Sequence, residues 1–168
     1  LRNDGNIESE DGTAVYSSGS VVENQGNISS RRTAVVIDEY RGIPSSFINY
    51  NNGNILVNGG IGILIIGSTA ENMGQISISG NQTQGIVIFG GESHEGKFIN
   101  KSPILSDSDK SDVTLISLMG NQNLGEKRAY LENYSDLTVL GNHSTALLVT
   151  GNSKINNTFL NFAKQNSK

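Results

Sequence analysis

Short apolar runs alternate with stretches of Gly, Asn and Ser along nearly the whole chain. The runs are rich in β-branched residues, as in Gly62-Ile63-Leu64-Ile65-Ile66 and Gly85-Ile86-Val87-Ile88-Phe89. Such punctuation predicts many short strands joined by tight turns. The pattern lapses only in the tail 159–168, where Leu160-Asn161-Phe162-Ala163-Lys164 is the one stretch open to a helical reading.

The strands recur in a fixed order. Asn-x-Gly-x-Ile appears as Asn3-Asp4-Gly5-Asn6-Ile7, Asn24-Gln25-Gly26-Asn27-Ile28, Asn51-Asn52-Gly53-Asn54-Ile55 and Asn72-Met73-Gly74-Gln75-Ile76, then weakens to Asn100-Lys101-Ser102-Pro103-Ile104 and Asn133-Tyr134-Ser135-Asp136-Leu137. Successive motifs start 21, 27, 21, 28 and 33 residues apart. The shortest unit is thus 21 residues, and the excess reads as loop insertion. Within each unit a small residue opens a second strand that usually ends in Gly: Ala14-Val15-Tyr16, Ala34-Val35-Val36-Ile37, the two runs above, and Ala146-Leu147-Leu148-Val149-Thr150-Gly151. The fifth unit, Leu115-Ile116-Ser117-Leu118-Met119-Gly120, fits by its closing Gly. A third apolar patch (Val22, Ala70, Phe98, Leu131, Ile155) precedes each Asn.

Three short strands per unit make one triangular coil, which alone has nowhere to bury its inward residues. Stacked coils align those residues into columns and satisfy each backbone group with the coil above and below. The fold class predicted is all-β, a right-handed parallel β-helix of three-strand coils with about 6–7 rungs, forming a rod of roughly 30 Å. It occupies residues 1–157 as one segment of a longer chain, with 158–168 an irregular tail, a cap or an artificial end. Alternation along the strands turns Ile28, Ile55, Val57, Ile76, Ile78, Leu137 and Val139 inward from the first strand. From the second it turns in Val35, Ile63, Ile65, Ile86, Ile88, Ile116, Leu118, Leu147 and Val149. The recurrent Asn stacks at a turn, its amide bonding the next coil's Asn, and the following Gly permits a left-handed backbone. Two residues are extra at Phe47-Ile48-Asn49-Tyr50-Asn51, where a bulge is expected. A β-sandwich of irregular strands is the competing architecture; recurrence of one motif in one order favours the solenoid.

Composition narrows the function classes. The net charge is −4 and the 12 Lys and Arg are scattered, so no basic stripe exists to neutralise phosphates, and nucleic acid is excluded as a partner. No apolar run reaches the ~20 residues that span a bilayer. Leu1-Arg2-Asn3-Asp4 carries neither an initiator Met nor a signal-peptide pattern, so the chain is expected to be an excised piece. Absence of Cys rules out a disulfide scaffold and fits either the cytosol or an exported chain.

The repeat, Asn-x-Gly-x-Ile followed by a small residue before Val/Ile-x-Ile-x-Gly and then Glu-Asn-x-Gly, resembles the passenger repeats of classical autotransporters (type V secretion). Its Asn- and Ile-rich flavour is most similar to the very large passengers of fusobacterial-type adhesins. The likeness covers residues 3–157. It implies export through the outer membrane of a Gram-negative bacterium and display at the cell surface, anchored or released. It also implies adhesion or autoaggregation, less often toxin activity, with host or bacterial surface proteins or glycans as partners. Membrane contact would be only through a translocator domain that these residues do not contain, and neighbouring coils would meet end to end. The family has no shared catalytic motif.

Departures from a plain rod are where binding is expected. Insertions at 38–46, 91–96 and 121–128 fall at one corner, between the second and third strands, whereas the third coil has only Ser68-Thr69 there. Loops of coils two and four therefore flank a notch over coil three, lined by Tyr40, Arg41, His94, Glu95, Lys127 and Arg128, the candidate ligand-binding residues. The competing reading is neutral drift of loop length on a tolerant scaffold. Leu64, Ile66, Val87, Phe89, Met119 and Leu148 face outward in this register, an apolar stripe that needs cover from the corner loops or a partner.

Other chemistry is thin. Asp107-Ser108-Asp109-Lys110-Ser111-Asp112 has oxygens at alternate positions, as calcium loops do, but lacks the turn Gly and closing Glu and reads as a solvated loop. Glu92, Glu95 and Glu126 could approach one another, yet nothing marks them as a glycosidase pair. His94 and His143 read as surface histidines, and the recurrent Glu23, Glu71 and Glu132 as solvated outer positions. The expectation is an adhesin-type passenger segment with no catalysis, no metal and no cofactor. Its alternatives are a carbohydrate-active β-helix (a depolymerase or tailspike-like glycan binder) and a pure structural spacer.

Overall fold

A computed structural model describes residues 1–107, 112–120 and 127–158. Its strands form three parallel sheets of seven, six and six strands, and each successive strand passes to the next sheet, so the chain winds as a parallel β-helix. In coil one the strands are β1 (Arg2–Asn3), β2 (Asn6–Ser9) and β3 (Thr13–Ser18). Coil two is β4 (Val21–Asn24), β5 (Asn27–Ser30) and β6 (Thr33–Asp38), and coil three β7 (Ser46–Asn49), β8 (Asn54–Asn58) and β9 (Ile61–Ile66). Coil four follows as β10 (Thr69–Asn72), β11 (Gln75–Ser79) and β12 (Gln84–Phe89), then coil five as β13 (Gly96–Asn100), β14 (Ile104–Ser106) and β15 (Thr114–Met119). Coil six is β16 (Ala129–Asn133), β17 (Leu137–Thr138) and β18 (Thr145–Thr150), and β19 (Ser153–Asn157) opens a seventh. The tail 159–168 lies outside the described residues.

The predicted columns form. Ile28, Ile55, Ile76, Ile104 and Leu137 stack in the middle sheet, and Val35, Ile63, Ile86 and Ile116 in the third, all buried. Val139 and Leu147 are only partly buried, while Val149 and Ile155 are exposed. These last positions lie on the final described coils, where a column has a neighbour on one side only.

Along one edge of the prism runs a column of asparagines. Asn3, Asn24, Asn49, Asn72, Asn100 and Asn133 each donate a side-chain N–H to the Oδ1 of the next, ending at Asn157, over 2.8 to 3.0 Å. The member from coil three is Asn49, not the Asn51 that the motif suggests. Asn49 pairs in register with Asn24 and Asn72, and the two extra residues lie in the turn after the strand instead of bulging within it. Hydrogen-bond register outweighs motif spacing here, because a displaced amide would orphan buried donors above and below.

Strict alternation fails at one place, with reason. Two successive residues at the start of each third-sheet strand, such as Ala34-Val35 and Leu115-Ile116, both face the core. The first sits in the angle against the preceding middle-sheet strand, whose last inward residue varies in step: Ser30, Val57, Ile78 and Ser106 form one column. They oppose Ala34, Gly62, Gly85 and Leu115. A methyl group built on Gly62 would lie 2.8 Å from Val57 Cγ2, and one on Gly85 would overlap Ile78 Cδ1. Val57 and Ile78 thus face glycine and Leu115 falls beside a serine rung, so no rung places two large side chains in the angle. Leu115, the unit that seemed to lack its small opening residue, pairs with Ser106 in this way.

Candidate functional site: the loop corner

Corner loops leave the rod where third-sheet strands end. In coil two, Ser45 Oγ donates to the Asp38 carbonyl over 2.8 Å and its amide bonds Ser68 Oγ over 3.0 Å, closing the neck of the insertion. The chain between is a small hairpin: Tyr40 and Ile43 exchange backbone hydrogen bonds of 2.8 and 2.9 Å. Arg41 and Gly42 at its tip both have positive φ, 50° and 75°, as a two-residue hairpin turn requires. The Arg41 guanidinium lies 5.1 Å from the Tyr40 ring centroid.

Glu39 ties this hairpin to coil four. Its Oε1 accepts the Ser93 amide over 3.0 Å and its Oε2 the His94 amide over 3.1 Å, with His94 Nδ1 at 3.2 Å from the same oxygen. The carboxylate crosses coil three to get there, and only glycine leaves room. A methyl on Gly67 would lie 2.7 Å from Glu39 Oε2, and one on Gly91 2.7 Å from its Cδ. Burial pushes the Glu39 pKa up, but the Ser93 amide, the His94 ring and the Glu92 and His94 amides outweigh it and hold the group below its ordinary value of 4.5.

A pKa lowered in the folded chain means that this contribution is complete above the ordinary value and is lost as pH falls through the lowered one. The Ser93 and His94 amides are therefore expected to stay protected at pH 6 and to lose protection in acid well below pH 4.5. Glu39→Gln should show about tenfold faster exchange already at pH 6, the loss of one charge-assisted hydrogen bond. Hydrogen exchange read by NMR checks this, and unchanged rates in the variant would mean that the loops are held by other contacts.

Coil five joins the same corner. The Lys127 amide donates to the Gly91 carbonyl over 3.0 Å, the Gly96 amide donates to the Arg128 carbonyl over 3.1 Å, and the Arg128 side chain pairs with Glu95. The six candidate residues thus share one corner but not one pocket. Tyr40 and Arg41 ride on the hairpin, His94 belongs to the clamp, Glu95 and Arg128 neutralise each other, and Lys127 is exposed. Residues 121–126 of the third insertion lie outside the described residues. Loops two and four are joined by Glu39 across coil three, beside an open cleft of about 530 Å³. Its floor is Ile66 and Phe89, and its walls are Asp38, Glu39, Arg41, Gly42, Gly90, Gly91 and Glu92. Of the six, only Arg41 lines it. Sequence reasoning missed Asp38 and Glu39; the available signal was the Gly90-Gly91 pair, two glycines at a loop base where something must pass close by.

The predicted outer stripe is only partly open. Val87 is buried, Leu64, Ile66, Phe89 and Met119 half-buried, and Leu148 is exposed. On the first sheet's outer face Lys97, Tyr130 and Lys154 align in register, with both Lys ammonium groups near 5 Å from the ring centroid. The recurrent glutamates are not merely solvated. Glu132 pairs with Lys97 (2.8 Å), Glu71 with Lys101 (2.5 Å), and Glu23 accepts the Tyr50 hydroxyl (3.2 Å), each from an adjacent coil. The Lys97 ammonium holds the Glu132 carboxyl below its ordinary value against the opposing pull of burial.

Among the described residues no group of three or more His, Asp or Glu is placed to hold a metal ion. Most of the Asp107-to-Asp112 run falls outside them. No helix there is long and apolar enough to cross a membrane. Scans against protein-family models, curated proteins and solved structures return no match.

Proposed function

We propose that this chain is an adhesin-type passenger segment: a β-helical scaffold whose corner loops bind a protein or glycan at the surface of a host or bacterial cell. One observation carries the reading. The insertions of coils two and four, with Lys127 and Arg128 at the described end of the coil-five insertion, gather on a single edge and are held by contacts that the rod itself does not need, Glu39 to the 93–94 backbone and Lys127 to Gly91. Loops drifting neutrally on a tolerant scaffold have no reason to be cross-braced, whereas a recognition surface gains affinity from being pre-organised. The likeness of the repeat to autotransporter passengers supports display outside a Gram-negative cell.

Replacing 39–44 by a connection as short as that of coil three tests the proposal, because Ser45 already closes the neck. Binding of the fluorescently labelled chain to host epithelial cells and to a glycan array is expected to fall at least about tenfold while the β-sheet circular dichroism is kept. Unchanged binding by a folded variant would move the function off this corner and favour a spacer role.

A further inference from the structure

The open cleft at coil three has a character that suits one kind of ligand. Its floor is apolar, made by the outward side chains of Ile66 and Phe89. Its walls carry three carboxylates, Asp38, Glu39 and Glu92, against one cation, Arg41. Glu39 is occupied by the Ser93 and His94 amides and the His94 ring. Asp38 and Glu92 have no ion-pair partner among the described residues, and the Arg41 guanidinium is stacked on the ring of Tyr40. An apolar floor beneath unpaired negative walls is complementary to a long aliphatic stem ending in a positive charge, which among side chains means Lys or Arg.

Resting on the reading that the loop corner is the binding edge, we propose that this cleft receives a basic side chain, Lys or Arg, presented by an extended segment of a partner protein. Of the two ligand classes in that reading, protein and glycan, only a protein carries such a side chain. Tyr40 and Ile43, though exposed, lie over Gly19 of coil one and leave this side of the hairpin to Arg41 and Gly42.

Capped pentapeptides Gly-Ser-Xaa-Ser-Gly, with lysine, norleucine or glutamate at the centre, are titrated into the ¹⁵N-labelled chain beside n-butylammonium. The lysine peptide is expected to shift amides of 38–42, 66–67 and 89–92 saturably, binding about tenfold more tightly than the norleucine peptide, with no response to the glutamate peptide. Added salt should weaken it, and Asp38→Asn with Glu92→Gln should abolish the preference for lysine over norleucine while leaving the Ser93 and His94 amides protected. Equal affinity of the norleucine and lysine peptides, no shifts with any peptide, or n-butylammonium binding as tightly as the lysine peptide would each overturn the proposal. The cell-binding assay separates it from the reading beneath it. Binding lost on replacing 39–44 but kept by the Asp38→Asn/Glu92→Gln variant would end the basic-side-chain proposal alone, and binding kept by both would end the reading itself.

Discussion

Asn72→Ala is expected to lower the unfolding free energy by on the order of 4 kcal/mol, read from the urea midpoint of the folded chain. Asn72 is completely buried at mid-column, accepting from Asn49 over 2.9 Å and donating to Asn100 over 3.0 Å. Alanine removes the Oδ1 that accepts from Asn49 and the amide that donates to Asn100 Oδ1, in a site that excludes water, each costing ~1–3 kcal/mol, and adds a small void. The same change at Asn3, which opens the described column and orphans a group on one side only, should cost about half as much. A loss below about 1 kcal/mol at Asn72 would mean that water enters the edge and replaces the amide.

Gly85→Ala is expected to cost about 3 kcal/mol, at the upper end of what overpacking does in a well-filled core. The new methyl would overlap Ile78 Cδ1 and lie 2.5 Å from the Leu115 carbonyl oxygen of the next coil. The side chain can move; the oxygen belongs to the sheet, so relief requires two coils to separate. A double-mutant cycle isolates the first term. Ile78→Val alone removes a buried methylene at about 1 kcal/mol. Made in the Gly85→Ala background it also removes the clash and should cost nothing or stabilise, a coupling of about 1 kcal/mol. Strict additivity would show that the angle between the sheets is looser than this packing implies.

The residues that carry these predictions also show what the chain discloses before it is folded. Asn3, Asn24, Asn72, Asn100 and Asn133 could be placed in one column because a stack of like coils makes spacing equivalent to position. Asn49 could not, since Asn51-Asn52-Gly53 imitates the motif and only the pairing of Phe47 with Ala70 reveals the longer turn. The corner was legible as a matter of where insertions fall. The clamp was not, because Glu39 and the 93–94 backbone stand 54 and 55 positions apart in the chain, and nothing local distinguishes Glu39 from Asp38 or Glu92. Tyr130 with Lys97 and Lys154 was within reach: each stands three places before a column asparagine, so the register that stacks Asn100, Asn133 and Asn157 stacks them too.

The Glu39 clamp has a consequence for how the rod can change in length. The asparagine column is indifferent to which unit lies next, since every rung offers the same amide to its successor. Removing or duplicating a whole unit would leave that column continuous. Glu39 is not indifferent: it reaches from the second rung to the fourth and fits only when a single slim rung, with glycine at position 67, lies between. It therefore acts as a gauge of spacing, tolerant of growth or loss elsewhere along the rod and intolerant of either at this one step.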